Sequence, residues 1–305
     1  MPSEFDQVMQ GNTLASLRTM KRRQALQSLA GLVLGGVAAL ADQPTNRRHR
    51  LLFFSRSVLF EHPVVHREGK ALSLAERTFT DMVRQLDCDV ECTKDGSVFD
   101  RDLDQYAAVV SYSCGRPADL MKPESKDHSA PLTERGWKRL DAAVRAGKPL
   151  VAIHPGLWLL PEAFGADCLG HGNQQVAQMK VVSPEFPGAE GLGDSFSLME
   201  EWFSLIRFTK DLHVILVQDC AGMNKDKSGD KRCYDRPPFP AAWARMHGKG
   251  RVFYTSMGHR EDVWTNKIFA QVLLGGLSWA LGRREADITP NLEQAAPQAN
   301  EFMKQ

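Results

Sequence analysis

The chain has 305 residues, 43% of them hydrophobic and 25% charged, with a formal net charge of +1. This is ordinary globular composition. The absence of a basic stripe interleaved with aromatics argues against a nucleic-acid partner. No uncharged apolar run in the body of the chain is long enough to span a bilayer, which argues against an integral membrane domain.

The N-terminal segment has a character of its own. Lys21-Arg22-Arg23 is basic, Leu26 to Leu40 is mildly apolar, and Ala39-Leu40-Ala41 offers a small-x-small cleavage site. That is the layout of an export signal. The adjacent arginines point to the twin-arginine route, which carries folded proteins, although Ala25 stands where Phe or Leu is usual. The alternative is an amphipathic helix or membrane anchor. The expected organisation is therefore an N-terminal extension and signal over 1–41, a polar linker over 42–49, an α/β domain over 50–284 and a flexible polar tail over 285–305. A periplasmic or otherwise exported location follows from the signal.

Leu51–Ser55 then reads as a buried strand, and Leu72 to Leu86 carries apolar residues at helical spacing. Cys88–Thr93 is a short strand and Ala107–Ser113 a buried one. Thr133 can cap a helix that runs to Ala146, with Trp137, Leu140 and Val144 as its stripe and Gly147 as its stop. Pro149–His154 is another buried strand. Strands alternating with helices across short connections predict an α/β fold with a doubly wound, mostly parallel sheet.

The second half is less regular. Gln175–Val182 alternates like a half-exposed strand, and Asp211–Gln218 is a strand. Ala241–Gly258 reads as two strands joined at His247-Gly248-Lys249-Gly250, a β-hairpin near the C-terminal end. Ile268–Leu281 is the closing helix. The polar stretch 219–238 is long for a loop in a compact domain, and such loops are usually functional or mobile.

Six cysteines follow the signal: Cys88, Cys92, Cys114, Cys168, Cys220 and Cys233. Cys88 and Cys92 would lie along one strand, too far apart to bridge. An oxidising compartment would favour Cys220 with Cys233, which flank the polar loop; six reduced, mostly buried thiols are the alternative.

Histidines gather at predicted strand ends. His62 and His66 follow the first strand, His154 the fourth and His259 the last, and His171 sits among glycines. In an open α/β sheet, ligands bind beyond the carboxyl ends of the strands. His62, His154 and His259 are therefore expected to converge on one crevice, with Glu200 and Glu201 adding carboxylates. Taken singly, each histidine also reads as a hydrogen-bonded structural residue and the acidic pair as a solvated face. Taken together, histidines and carboxylates suit a divalent metal, zinc above all, with His62, His154, His171 and His259 as ligands. They equally suit metal-free proton transfer by Glu201 and His154. Trp158 and Trp202 offer faces for a sugar ring or pack the core, and Arg260 is a candidate substrate contact. Cys114 ends a strand, yet no base can be assigned to it. No Gly-rich phosphate loop appears, so no nucleotide cofactor is expected.

Several stretches resemble the trehalose-utilisation (ThuA-like) family over about Arg50 to Arg283. They are "LLFFSRSVLFEH", "KPLVAIHPG", "MEEWF" and, most specifically, "PAAWARMHGKGRVFYTSMGHRED" followed by "LLGGLSWALG". The resemblance implies a glutamine-amidotransferase-like (flavodoxin-like) fold and a pocket of His62, His154, His171, Glu201 and His259. It also implies a part in oxidised (keto) disaccharide metabolism, with a metal suspected in the pocket. The usual Asp-Glu-x-Tyr becomes Glu200-Glu201-Trp202-Phe203, which keeps Glu201 and loses the tyrosine hydroxyl. Pro155-Gly156-Leu157-Trp158 follows the fourth-strand histidine where family members often have small residues and an acid. The expected activity is lyase, hydrolase or isomerase chemistry on a keto-sugar or glycoside. The alternative is a non-catalytic carbohydrate-binding or metal-binding periplasmic protein.

Overall fold

A computed structural model describes residues 49–225 and 233–301. The export signal read over 1–41, nearly all of the linker, the middle of the 219–238 loop and the last four residues lie outside the described residues.

Taken in chain order, the elements are β1 (His49–Phe54), α1 (Leu74–Val83), β2 (Cys88–Thr93), β3 (Ala108–Ser111), α2 (Pro117–Leu120), α3 (Glu134–Ala146), β4 (Leu150–Ile153) and α4 (Pro161–Phe164). They continue as β5 (Asp167–His171), β6 (Gln175–Val181), β7 (Ser195–Glu200), β8 (Phe203–Ile206), β9 (His213–Asp219), β10 (Phe239–His247) and β11 (Gly250–Thr255), then α5 (Glu261–Trp264), α6 (Lys267–Ala280) and α7 (Leu292–Ala295). No described helix is long and apolar enough to cross a membrane.

Nine strands form one sheet in the order β2-β1-β3-β4-β11-β10-β9-β6-β7. The strands from β2 to β11 run parallel, and from β11 onward each neighbour is antiparallel. β3 and β4 are buried throughout, as the core of a sheet covered on both faces must be. The doubly wound reading therefore holds for the first half, and β10 and β11 make the expected hairpin. The order β2-β1-β3 reverses the direction of winding between β1 and β3. The carboxyl end of that junction is where a crevice opens in such sheets.

Local chemistry explains the helix ends. Thr133 caps α3 by accepting the Gly136 N–H, and Gly147 ends the helix at φ +130°. Asn266 caps α6 in the same way. α1 is shorter than its periodicity suggests. Ser73 and Glu76 form a capping box that fixes the start two residues inside the apolar stripe, and the far end tightens into a 3₁₀ turn over Arg84–Leu86.

Three expectations need correction or extension. First, residues 285–301 are not a loose tail. α7 buries Leu292, and Ala296 and Ala299 are buried beyond it. The Asn291 side chain accepts the Val214 N–H at 2.6 Å and donates to the Val214 carbonyl at 3.0 Å. Polar composition hid this because the buried apolar residues are few and scattered, and side-chain amides share the docking with them. Second, no disulfide joins any of the six cysteines. The pairing of Cys220 with Cys233 is not made, and all but Cys92 are buried, Cys92 being half-buried. Third, β5, β7 and β8 were not foreseen. β5 and β8 form a separate antiparallel pair that sets His171 opposite Phe203.

Candidate metal and acid/base site

Four side chains meet beyond the carboxyl ends of the parallel strands. His62 follows β1, His154 follows β4, His259 follows β11, and Glu201 follows the edge strand β7. One potential ligand atom from each lies within 4.8 Å of the other three. The rings form a near-equilateral triangle, with centroids 5.1 Å apart for His62–His154 and His62–His259 and 5.2 Å for His154–His259.

Each group is held by an identifiable device. His154 opens a 3₁₀ turn directly after β4 with φ +51°, a left-handed conformation costly for a residue with a Cβ. Gly156 lets that turn press on β3, since a Cβ there would meet the Ser111 carbonyl at 1.9 Å. The His154 ring stacks on Phe203 at 4.1 Å. Its Nδ1 lies 3.1 Å from the Ser256 carbonyl, which only accepts, so Nδ1 carries the proton and Nε2 turns a lone pair into the pocket.

His259 is placed through the backbone. The buried Glu200 carboxylate accepts the N–H groups of Gly258 at 2.8 Å, His259 at 3.1 Å and Arg260 at 3.2 Å, as well as that of Glu201 at 2.8 Å. Gly258 holds φ +119° in this turn, and its carbonyl accepts from Tyr112 Oη at 2.9 Å and Trp264 Nε1 at 2.8 Å. Burial pushes the Glu200 carboxyl up to about 7, against the pull of those amide donors.

Electrostatics suit cation binding. Burial, reinforced by His154 and His259, lowers the His62 pKa well below its ordinary value. Burial also lowers that of His154, with Glu201 opposing. Both rings therefore favour the neutral form that ligates metals. Glu201 goes the other way. Burial would raise its pKa, yet His154 and His259 hold it well below the usual carboxylate range. Three buried ring nitrogens, His62 Nδ1, His154 Nε2 and His259 Nδ1, have no hydrogen-bond partner. Glu201 Oε1 lies 3.6 Å from the second and 3.2 Å from the third. A zinc tetrahedron with ~2.05 Å arms has edges of about 3.3 Å, so the donor types fit that ion and the two Glu201 edges come close to its spacing.

His171 is not one of the four. It is half-exposed, with Nδ1 3.4 Å from the other Glu201 oxygen, Oε2, and 3.1 Å from the Gly172 carbonyl. The expected ligand set is thus revised: Glu201 takes the place given to His171. His66 lies outside the cluster, exposed and paired with Glu61 at 2.9 Å. Trp202 is fully buried, donates to the Gln175 carbonyl at 3.0 Å and presents no face to a sugar. Trp158 is half-buried, stacked on Phe203 at 5.7 Å with the Arg116 guanidinium 5.9 Å from its ring centre. Burial pushes the Cys114 thiol up to about 12, which removes it as a nucleophile. Arg260 borders a cavity of about 350 Å³ whose lining includes Gln174, His259 and Asp262.

Sequence reasoning missed Ser256, Phe203 and Gln174 as supports of this pocket. Phe203 was flagged only as a lost hydroxyl, and nothing in the pattern around Gln174 marks it.

A family model described as trehalose utilisation (ThuA) matches residues 53–280. The chain belongs to that family. Among solved structures, a ThuA-like protein from Bacteroides uniformis ATCC 8492 superposes with a TM-score of 0.56 at 17% identity, covering 79% of this chain and 94% of its own. One from Parabacteroides merdae ATCC 43184 gives 0.55 at 16% identity, covering 78% and 92%. At that identity they establish a shared ThuA-like fold and no more. No curated protein matches the chain in sequence.

Proposed function

We propose that this ThuA-like protein is an exported enzyme that uses His62, His154, His259 and Glu201 to hold a divalent metal, zinc by donor type, and acts on a keto-sugar or glycoside. One observation carries the reading: one potential ligand atom from each of the four side chains lies within 4.8 Å of the others, and the buried nitrogens His62 Nδ1, His154 Nε2 and His259 Nδ1 have no hydrogen-bond partner. Leaving buried polar atoms unpaired is costly, and folds retain such groups where a ligand satisfies them. The family's trehalose-utilisation description supports a carbohydrate as substrate.

A bound divalent ion would supply Lewis acidity toward a substrate carbonyl. The protein's own groups then divide the remaining work. A ketone acidifies the neighbouring C–H. Loss of that proton places its electron pair in an enolate, and collapse of the enolate expels the glycosidic oxygen, which takes up a proton. The Glu201 Oε2–His171 pair lies where a proton can be exchanged, because His171 is half-exposed while the other three rings are buried. Arg260, on the rim, supplies donors for substrate oxygens.

The test combines metal analysis and turnover. Protein purified without chelators should contain near-stoichiometric zinc, which His154→Ala loses, and should consume a keto-disaccharide. Glu201→Gln should abolish that turnover. Full activity in Glu201→Gln would sink the catalytic assignment. Sugar affinity without turnover, tolerant of Glu201→Gln, would make the protein a binding protein instead.

A further inference from the structure

Gln174 stands between the pocket and its rim. Its Oε1 is 2.7 Å from Arg260 Nη1, and its Nε2 is 3.0 Å from His259 Nε2. A guanidinium only donates, so the atom facing Arg260 is necessarily the carboxamide oxygen. The NH₂ group is then left facing the imidazole, and it too only donates. His259 Nε2 must therefore present a lone pair, which puts the ring proton on Nδ1, the buried nitrogen beside Glu201.

That is the opposite of what a ligand at Nδ1 needs. His154 is set for ligation as it stands, because the Ser256 carbonyl fixes its outer N–H. His259 has to change tautomer: Nδ1 gives up its proton and Nε2 acquires one. An N–H at Nε2 cannot face the NH₂ of Gln174. The carboxamide has to turn half a circle about its terminal torsion and offer its oxygen. Its NH₂ then faces Arg260 Nη1, donor against donor, and that contact is lost.

We infer that Gln174 is a positioning residue that couples occupation of the pocket at His259 to release of Arg260 Nη1 into the rim cavity. This rests on the metal reading proposed above. Asp262 retains the rest of the guanidinium, accepting from Nε at 2.8 Å and Nη2 at 3.0 Å, so Arg260 stays at the rim with one edge freed. The freed edge is a donor pair for a substrate oxygen, offered when the pocket is filled.

The experiment uses the full-length protein stripped of metal and titrated with zinc. Long-range ¹H–¹⁵N spectra should show His259 as the Nδ1–H tautomer before zinc and the Nε2–H tautomer after it. Modification of Arg260 by phenylglyoxal, followed by peptide mass spectrometry, should quicken several-fold on zinc addition. Gln174 is exposed, so Gln174→Glu should fold normally. A carboxylate accepts from both neighbours at once. In that variant Arg260 reactivity should not respond to zinc, and zinc affinity should rise about tenfold, the scale of effect typical of groups behind a ligand. Zinc bound by wild type with Arg260 reactivity unchanged would overturn the inference, and so would an Nε2–H tautomer before any metal. Failure of the metal reading looks different: no zinc is retained, and the coupling falls with it while His259 stays Nδ1–H.

Discussion

The Glu200 carboxylate and the Gly258 amide nitrogen are 58 residues apart in sequence and 2.8 Å apart in space. Through this bond and its neighbours, a residue on the edge strand β7 sets the turn that carries His259. Glu200 and Glu201, adjacent in sequence, thus have separate tasks. Glu200 faces inward and organises backbone, and Glu201 faces the pocket.

Replacing Glu200 by Gln should therefore be costly although nearly isosteric. One carboxylate oxygen becomes an NH₂ group set against backbone donors, with a cost of about 1–3 kcal/mol for the unmet hydrogen bonds. Urea denaturation should show this loss. A variant as stable as wild type would mean that these amide contacts do not hold the turn.

His154 separates backbone strain from side-chain chemistry. At φ +51° a glycine is relieved of the Cβ clash that alanine keeps. His154→Gly should be more stable than His154→Ala by about 1 kcal/mol, the lower end of the left-handed penalty. Both variants should lose metal. Equal melting temperatures would show that the turn after β4 is unstrained.

The pH dependence of stability has a defined sign. Burial lowers the His62 pKa well below its ordinary 6.5. Below pH 6.5 the unfolded chain takes up a proton that the folded ring refuses, so this contribution is complete above 6.5 and declines as pH falls. The slope is at most about 1.4 kcal/mol per pH unit for one group. Glu200 tilts the other way between 4.5 and about 7, because its folded form holds the proton more tightly. Comparison of metal-stripped wild type with His62→Phe isolates the first effect. Wild type should lose stability relative to the variant from pH 6.5 to 5, and parallel curves would refute the assignment.

Asn291 offers a test far from the pocket. β6 pairs with β9 only as far as Val181–Leu216, and the Asn291 amide takes over at Val214 by giving and accepting one hydrogen bond as a neighbouring strand would. Asn291→Ala should cost about 1–3 kcal/mol. Ending the chain at residue 284 should cost more, since Leu292, Ala296 and Ala299 would also be lost. A truncated protein with an unchanged denaturation midpoint would restore the loose-tail reading.

The parallel half of the fold was legible because its strands are continuous apolar runs separated by capped helices. Placement of His62, His154 and His259 together followed from one topological rule about strand ends. The antiparallel half was harder to read. β7 is a largely half-exposed edge strand, and β5 ends in Gly170-His171, so neither carries a clean period. The exchange of roles between Glu201 and His171 was invisible for a related reason. It depends on which carboxylate oxygen faces which ring, and that is settled by the pairing of β5 with β8, not by local pattern. Trp202 stands open in the sequence between a sugar platform and a core residue, and alternation along the chain decides for the core.

The pocket draws on residues 62, 154, 201 and 259, so its walls come from early, middle and late stretches of the domain. No contiguous fragment shorter than that span contains it. An ion gripped there would act as a clasp across the seam between the parallel and antiparallel halves of the sheet, and would slow their separation more than it would stiffen either half. Retention of the ion would then report that the entire domain is intact, and its escape would be an early sign that the two halves have begun to part.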